Sequence, residues 1–329
     1  FWGVCRSMFN WLNLVGYNLL GLGTNLKFYI QNTSGGAYND ITPIRLTNAA
    51  VGNAFTTNTT TNSGGYTTVT VTDAGHGAQA GDFVNISAVS GNVNGVTSTA
   101  LTGEFQIVTY VSSSQYTILV AGTATSSGTP AVSATFNYQI TTGNTTFTYG
   151  VGWGAGGWGG TTTGYTSTGW GIAAPAGLGI GVQLRLWSQS NYGEDLVFNA
   201  RGGAMYYWAN NASPNVYDRG QIIKASTSIT TKSGSFSPDS TCPSVANFVL
   251  VSDASRFTFA FGCNDPTGVY ATTAQDPMQV RWSDQNTLVT WTPAITNQAG
   301  GIRLSHGSVI VTALQTRQEI LVWTDAAVY

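Results

Sequence analysis

Residues 67–72 read TTVTVT, polar and apolar by turns. A period of two sends alternate side chains to opposite faces of an extended strand. The run ends in DAGHG, a turn composition. Four more short runs follow before residue 141: DFVNISAV, GEFQIVTYV, QYTILVAG and AVSATFNYQI. Each alternates or is rich in β-branched and aromatic residues, with turn formers at its ends. Residues 55–140 therefore predict a small β-sandwich or barrel of about five strands. Helical patterning is nearly absent. Residues 6–20 are the one helical candidate, and the Asn and Gly among them weaken it. The fold class predicted is all-β.

Outside residues 55–140, four segments share a strand, a tight turn and an aromatic-rich strand. They are LGLGTNLKFYI (20–30), DLVFNARGGAMYYW (195–208), NFVLVSDASRFTFAFG (247–262) and SVIVTALQTRQEILVWTDAAVY (308–329). A sharper echo is Trp-Ser-x-x-Asn, at Trp187–Asn191 and Trp282–Asn286. Hairpins recurring at roughly 50–60 residues with Trp at similar places predict β-propeller blades, about four in number. The domain map is then a first blade region at 1–54, an inserted β-domain at 55–140, a Gly/Trp-rich connector at 141–179 and further blades at 180–329. The chain stops at Tyr329 within a predicted blade, so either more chain follows or the circle is incomplete. Its apolar opening has neither an initiator Met nor the charged start of a signal peptide, which fits a start inside a longer protein or after processing. Arg6, Asn10, Asn13 and Asn18 interrupt that opening, so no transmembrane helix is expected.

Composition narrows the function classes. Charged residues are 8% of the 329, against about 25% in an average soluble protein, and the net charge is −2. Polarity comes instead from hydroxyls, amides and 41 glycines. Such a surface has little charge repulsion to keep copies apart, which favours life in an assembly. Three lysines and nine scattered arginines form no run able to neutralise a row of phosphates, which argues against tight nucleic-acid binding. Cys5, Cys242 and Cys263 lack metal-ligand spacing. Cys242 and Cys263 could pair across neighbouring strands, but free buried thiols are the simpler expectation.

Gly150–Gly160 reads GVGWGAGGWGG, with a further Gly-Trp-Gly at Gly169–Gly171. G-x-G-x-x-G occurs in it twice, but no helix-forming sequence follows and the next acid is Glu194. A dinucleotide loop needs both. The stretch is either a linker or an ordered connector whose indoles anchor against another domain or subunit; Trp153, Trp158 and Trp170 favour the second. Trp187, Trp282 and Trp291 join them as candidate packing or interface residues.

An enzyme is not expected. His76 and His306 lie in different predicted domains, and His76 with Asp82 reads as turn chemistry. Glu194 and Asp195 are adjacent, so a continuous strand would point them to opposite faces. Ser283–Trp291 approaches the S-x-D-x-G-x-x-W box of propeller sialidases without matching it, and such boxes stabilise turns. No catalytic, cofactor or metal residue is expected.

The segments 184–208, 280–304 and 309–329 resemble virion structural proteins of tailed bacteriophages, as do HGAQAGDFVNIS (76–87) and the GWG-rich connector. The most specific pieces are WSDQN…WTP…TNQAG and TRQEILVWTD. Within that group the chain is most similar to the tail nozzle (tail tubular protein B-type) of short-tailed phages, although that family is usually much longer. The resemblance implies a propeller-like body in a homo-oligomeric ring of the virion tail. Its partners would be adaptor, portal-proximal and fibre proteins, with double-stranded DNA met only in passage. Three alternatives stand beside it. One is a tail-fibre or adhesin module whose Trp153, Trp158 and Trp170 stack on sugars. The others are a head–tail connector or capsid decoration protein, and a β-rich protein of some other role.

Overall fold

A computed structural model describes residues 1–32, 36–141, 186–210, 218–231, 234–253, 255–267, 274–317 and 319–329. The fold is all-β, with a single short α-helix, α1 (Ser98–Leu101), among the described residues. The chain divides into two compact units. Unit one comprises Phe1–Tyr38, Thr142–Tyr207 and Ile223–Tyr329; unit two comprises Asn39–Thr141 and Trp208–Ile222.

Unit one is a series of antiparallel sheets, each laid down in chain order. The first is β1 (Cys5–Leu12), β2 (Asn18–Thr24), β3 (Phe28–Asn32) and β4 (Tyr38–Asp40). Residues 6–20 are thus a hairpin and not a helix: Met8 pairs with Leu22 and Trp11 with Leu19. Between them, Asn13 closes a loop on the Tyr17 amide, and Gly16 takes the positive φ of 88° that few other residues accept. The helical spacing there was an accident of a strand, a loop and a second strand.

The eight strands of unit two come next in the chain. They are β5 (Ile44–Val51), β6 (Phe55–Thr56), β7 (Asn62–Ser63), β8 (Tyr66–Thr72), β9 (Phe83–Ser87), β10 (Gly103–Ser112), β11 (Gln115–Ala121) and β12 (Ala134–Gln139). They form one curled sheet in the order β5-β12-β9-β10-β11-β8-β6, with β7 on β8. The curl follows from β10, whose first half pairs with β9 and whose second half pairs with β11. Val69 and Val71, the apolar set of TTVTVT, are fully buried with Ile86, Ile118, Phe136 and Tyr138. The sequence placed the start of this region at residue 55. The contacts place it at Asn39, because β5 hydrogen-bonds to β12 along its length. The segment 218–222 also belongs to this unit, held by Arg219 against Asp40 at 3.0 Å and the Thr42 carbonyl at 3.1 Å.

The next sheet in chain order is β13 (Trp187–Tyr192), β14 (Asp195–Ala200), β15 (Met205–Trp208) and β16 (Gln221–Ile223). A small hairpin, β17 (Ile229–Thr231) and β18 (Gly234–Phe236), precedes the third sheet. That sheet is β19 (Phe248–Val251), β20 (Thr258–Phe261), β21 (Gln279–Trp282) and β22 (Gly300–Arg303). The pair β23 (Ile310–Gln315) and β24 (Ile320–Thr324) ends the series. Three meandering four-stranded sheets and a final hairpin make unit one propeller-like.

Neighbouring sheets lock through specific contacts. Gly21 and Gly23 alternate along β2, so both leave the same face bare. Into that space go Gln189 and the Trp187 ring, and a Cβ on either glycine would overlap them. The Trp187 indole N–H donates to the Thr24 carbonyl at 2.6 Å, and its ring meets Phe28 edge-on at 4.9 Å. On the other face of β13, Ser188 Oγ accepts from the Val249 amide at 2.9 Å and Ser190 Oγ from Val251 at 3.0 Å. The period of two thus makes one strand face two neighbours. Phe261, Met278, Val280, Leu304, Ile310 and Val322 join the third sheet to the last hairpin.

Candidate functional site

Two clefts in unit one matter. The first is a cleft of about 520 Å³ lined by the first strands of four sheets: Ser7–Phe9 of β1, 186–191 around β13, 247–251 around β19 and Val311–Gln315 of β23. Among the described residues, the charged side chains lining it are Arg201 and Asp253.

The second, of about 820 Å³, is built around the turn Tyr192-Gly193-Glu194-Asp195. Tyr192 and Asp195 are cross-strand partners, so Gly193 and Glu194 form a two-residue hairpin loop. Gly193 has φ 68°, the positive value wanted at the first central position of a type II′ turn. On a continuous strand Glu194 and Asp195 would point to opposite faces. Here they sit at a turn instead: Glu194 lies in the loop, Asp195 begins β14, and both line this cleft.

Each acid is also part of the fold. Glu194 Oε1 accepts from the Leu14 amide at 2.7 Å, and the Glu194 carbonyl accepts from the Trp11 indole at 2.8 Å. The Tyr207 hydroxyl donates to Asp195 Oδ2. Burial, with that bond added, pushes the Tyr207 phenol far above its usual range. Burial raises Tyr192 to about 12; nearby Arg256 opposes the rise and Asp195 adds to it. Both phenols are therefore hydroxyl donors at physiological pH.

Arg256 completes the cleft from the β19–β20 loop. Its φ is 50°, a left-handed conformation that L-residues other than Asn, Asp and Gly seldom adopt. Its amide bonds the Ser252 carbonyl at 2.8 Å, and its guanidinium lies over Gly193. The guanidinium also reaches Asn286 Oδ1 at 3.4 Å, and Asn286 is itself left-handed at φ 57°. Leu12, Ile229, Phe236 and Leu288 supply apolar surface. Two carboxylates, one guanidinium, two phenols and the side-chain amides of Asn13 and Asn286 thus line one hollow with greasy walls.

Sequence reasoning missed this group. The quartet Tyr-Gly-Glu-Asp carried a hairpin signal, with Gly between two strand-like runs. Nothing in the sequence announced that Arg256 would be left-handed.

The predicted tryptophans separate. Trp153, Trp158 and Trp170, and the glycine-rich connector with them, lie outside the described residues. Trp187 and Trp291 are buried inside unit one, at 6% and 0% exposure, so they pack this unit. The Trp291 indole donates to the Leu288 carbonyl at 2.9 Å. Trp282 is half-buried and donates to the Gln298 carbonyl at 2.7 Å. The Trp-Ser-x-x-Asn echo is not a structural repeat, because Trp187 opens a first strand and Trp282 closes a third. Ser283–Trp291 forms a turn in which the Asp284 amide bonds the Thr290 carbonyl at 2.7 Å.

His76 is a core residue of unit two. Its Nδ1 accepts from the Ala78 amide at 3.0 Å, so Nε2 carries the proton and donates to the Ser112 carbonyl at 3.0 Å. Asp82 closes the adjacent turn by accepting from the Gln79 amide at 2.9 Å. Cys242 and Cys263 are buried free thiols, pushed up by burial, and Cys5 is an exposed free thiol. Among the described residues, no group of three or more His, Cys, Asp or Glu is placed to hold a metal. No described helix is long and apolar enough to cross a membrane.

No protein-family model and no curated protein matches the chain. Among solved structures it is similar to a phage phi92 endosialidase, at 13% sequence identity and a TM-score of 0.26, over 97% of this chain and 40% of that one. The chain thus spans less than half the length of that protein. A likeness so distant leaves function to be argued from the residues.

Proposed function

We propose that this chain is a structural subunit of a tailed-phage virion, a tail-nozzle-type body that packs with copies of itself into a ring around the DNA-ejection path. The supporting observation is that β1, β13, β19 and β23, the first strands of their sheets, line one cleft, as the inner strands of propeller blades do. It agrees with the resemblance of segments 184–208, 280–304 and 309–329 to virion structural proteins. Assembly is favoured by a surface low in charge and by exposed apolar side chains such as Val4, Val15 and Ile302. Few charges have to be stripped of water when such surfaces meet. With a net charge of −2 and no basic row, the body would let DNA pass without gripping it. The role is non-catalytic: Glu194 and Asp195 already bond the Leu14 amide and Tyr207.

Fab fragments raised against the chain and imaged on intact virions test the reading. Label on the tail body, next to the head-proximal tail proteins, is expected. Label on fibres or on the capsid shell would refute it.

A further inference from the structure

We propose that the cleft at the Tyr192–Asp195 turn binds a neutral saccharide. Three observations carry this independently of the virion role. The first is chemical. Glu194 and Asp195 are acceptors, Arg256 and the Tyr192 hydroxyl are donors, and all face one hollow. A sugar's hydroxyls both donate and accept, so they use such a mixture fully. An anionic ligand would meet two carboxylates, and a cationic one would meet the guanidinium.

The second is shape. The hollow, about 820 Å³, lies within the roughly 300–1,000 Å³ of small-ligand sites. Its mix of apolar wall and a few convergent polar groups is that of a recognition pocket. The Phe236 ring, 47% exposed, stands in the lining and offers a flat face to the C–H side of a sugar ring.

The third is backbone strain. Arg256 occupies a left-handed position where Gly would sit without cost. Strain of this kind at a non-glycine residue concentrates at ligand sites. Here it holds a guanidinium over Gly193, the turn residue whose missing side chain leaves the room.

The test uses the full chain and four neutral trisaccharides, namely maltotriose, cellotriose, tri-N-acetylchitotriose and mannotriose. Trigalacturonate serves as the anionic probe and chitosan trimer as the cationic one. Saturation-transfer NMR at millimolar ligand identifies binders, and calorimetry measures affinity. At least one neutral probe should bind, and the charged ones should not. Arg256→Gly should weaken binding at least about tenfold, the scale of a lost charge-assisted hydrogen bond. The same variant should keep or raise the thermal midpoint, since glycine relieves the left-handed strain. Glu194→Gln, which still accepts from the Leu14 amide, should also weaken binding. Silence from every neutral probe, binding of a charged probe instead, or full affinity in Arg256→Gly would overturn the proposal. None of these outcomes bears on where the chain sits in a virion, so the two readings fail separately.

Discussion

Trp187 and Gly23 provide a quantitative check on how the first two sheets meet. The Trp187 ring is 6% exposed, contacts Phe28 and Phe198, and donates to the Thr24 carbonyl. Truncation to Ala removes all of these, and buried aromatic-to-Ala changes cost about 3–5 kcal/mol. For a unit of this size that lowers the melting temperature by roughly 6–20 °C. Gly23→Ala adds a methyl group where the indole ring lies, an overpacking that costs about 1–3 kcal/mol. In the double variant the ring is gone and the methyl enters the vacated space. The second substitution should then cost less than about 0.5 kcal/mol, so the pair couples by more than about 0.5 kcal/mol. Scanning calorimetry of the four proteins, reading the transition that moves, measures the cycle. Additive effects within about 0.5 kcal/mol would refute the packing of Trp187 on Gly23.

Three further outcomes follow from the same geometry. His76→Ala breaks the bonds to Ser112 and Ala78 and an edge contact with Tyr116, and should destabilise unit two by about 2–4 kcal/mol in urea unfolding; a loss under about 0.5 kcal/mol would contradict its core role. Tyr116, Tyr138, Tyr192 and Tyr207 are all raised, chiefly by burial, above the ordinary phenol value of 10.0. Their contribution is complete below pH 10 and lost as pH climbs through the folded values. Phenolate absorbance should therefore show these tyrosines ionising only on alkaline unfolding, and joint titration of all fifteen near pH 10 would contradict it. Burial acts to raise Asp239, but its bonds from Trp291, Thr241 and Thr292 outweigh that and hold its carboxyl below 3.8. That contribution is present above the unfolded value and lost as pH falls through the folded one, so amide-exchange protection at Trp291 and Thr292 should fade in acid and be insensitive to acid in Asp239→Asn.

What the sequence made legible was whatever repeats at short range. Alternation in TTVTVT put Val69 and Val71 inward without ambiguity, because one face of that sheet is core. The segment 6–20 misled, since apolar residues of two strands and a loop fell by chance at helical intervals. The extent of the inserted unit was hidden because β5 is assigned by its partner β12, and pairing across more than 80 residues leaves no local mark. The cleft was half legible: Tyr-Gly-Glu-Asp is a two-residue hairpin loop, and that alone brings the two acids to one side. Arg256 was invisible, because only tertiary contacts hold an arginine left-handed.

The central claim concerns place. A cryo-EM map of the intact virion, at a resolution that lets the sheets of unit one be docked, tests it most directly. The account predicts several copies of this chain in a closed ring on the tail axis, between the head-proximal tail proteins and the fibres. Density for the chain off that axis, on a fibre or spread over the capsid, would contradict it.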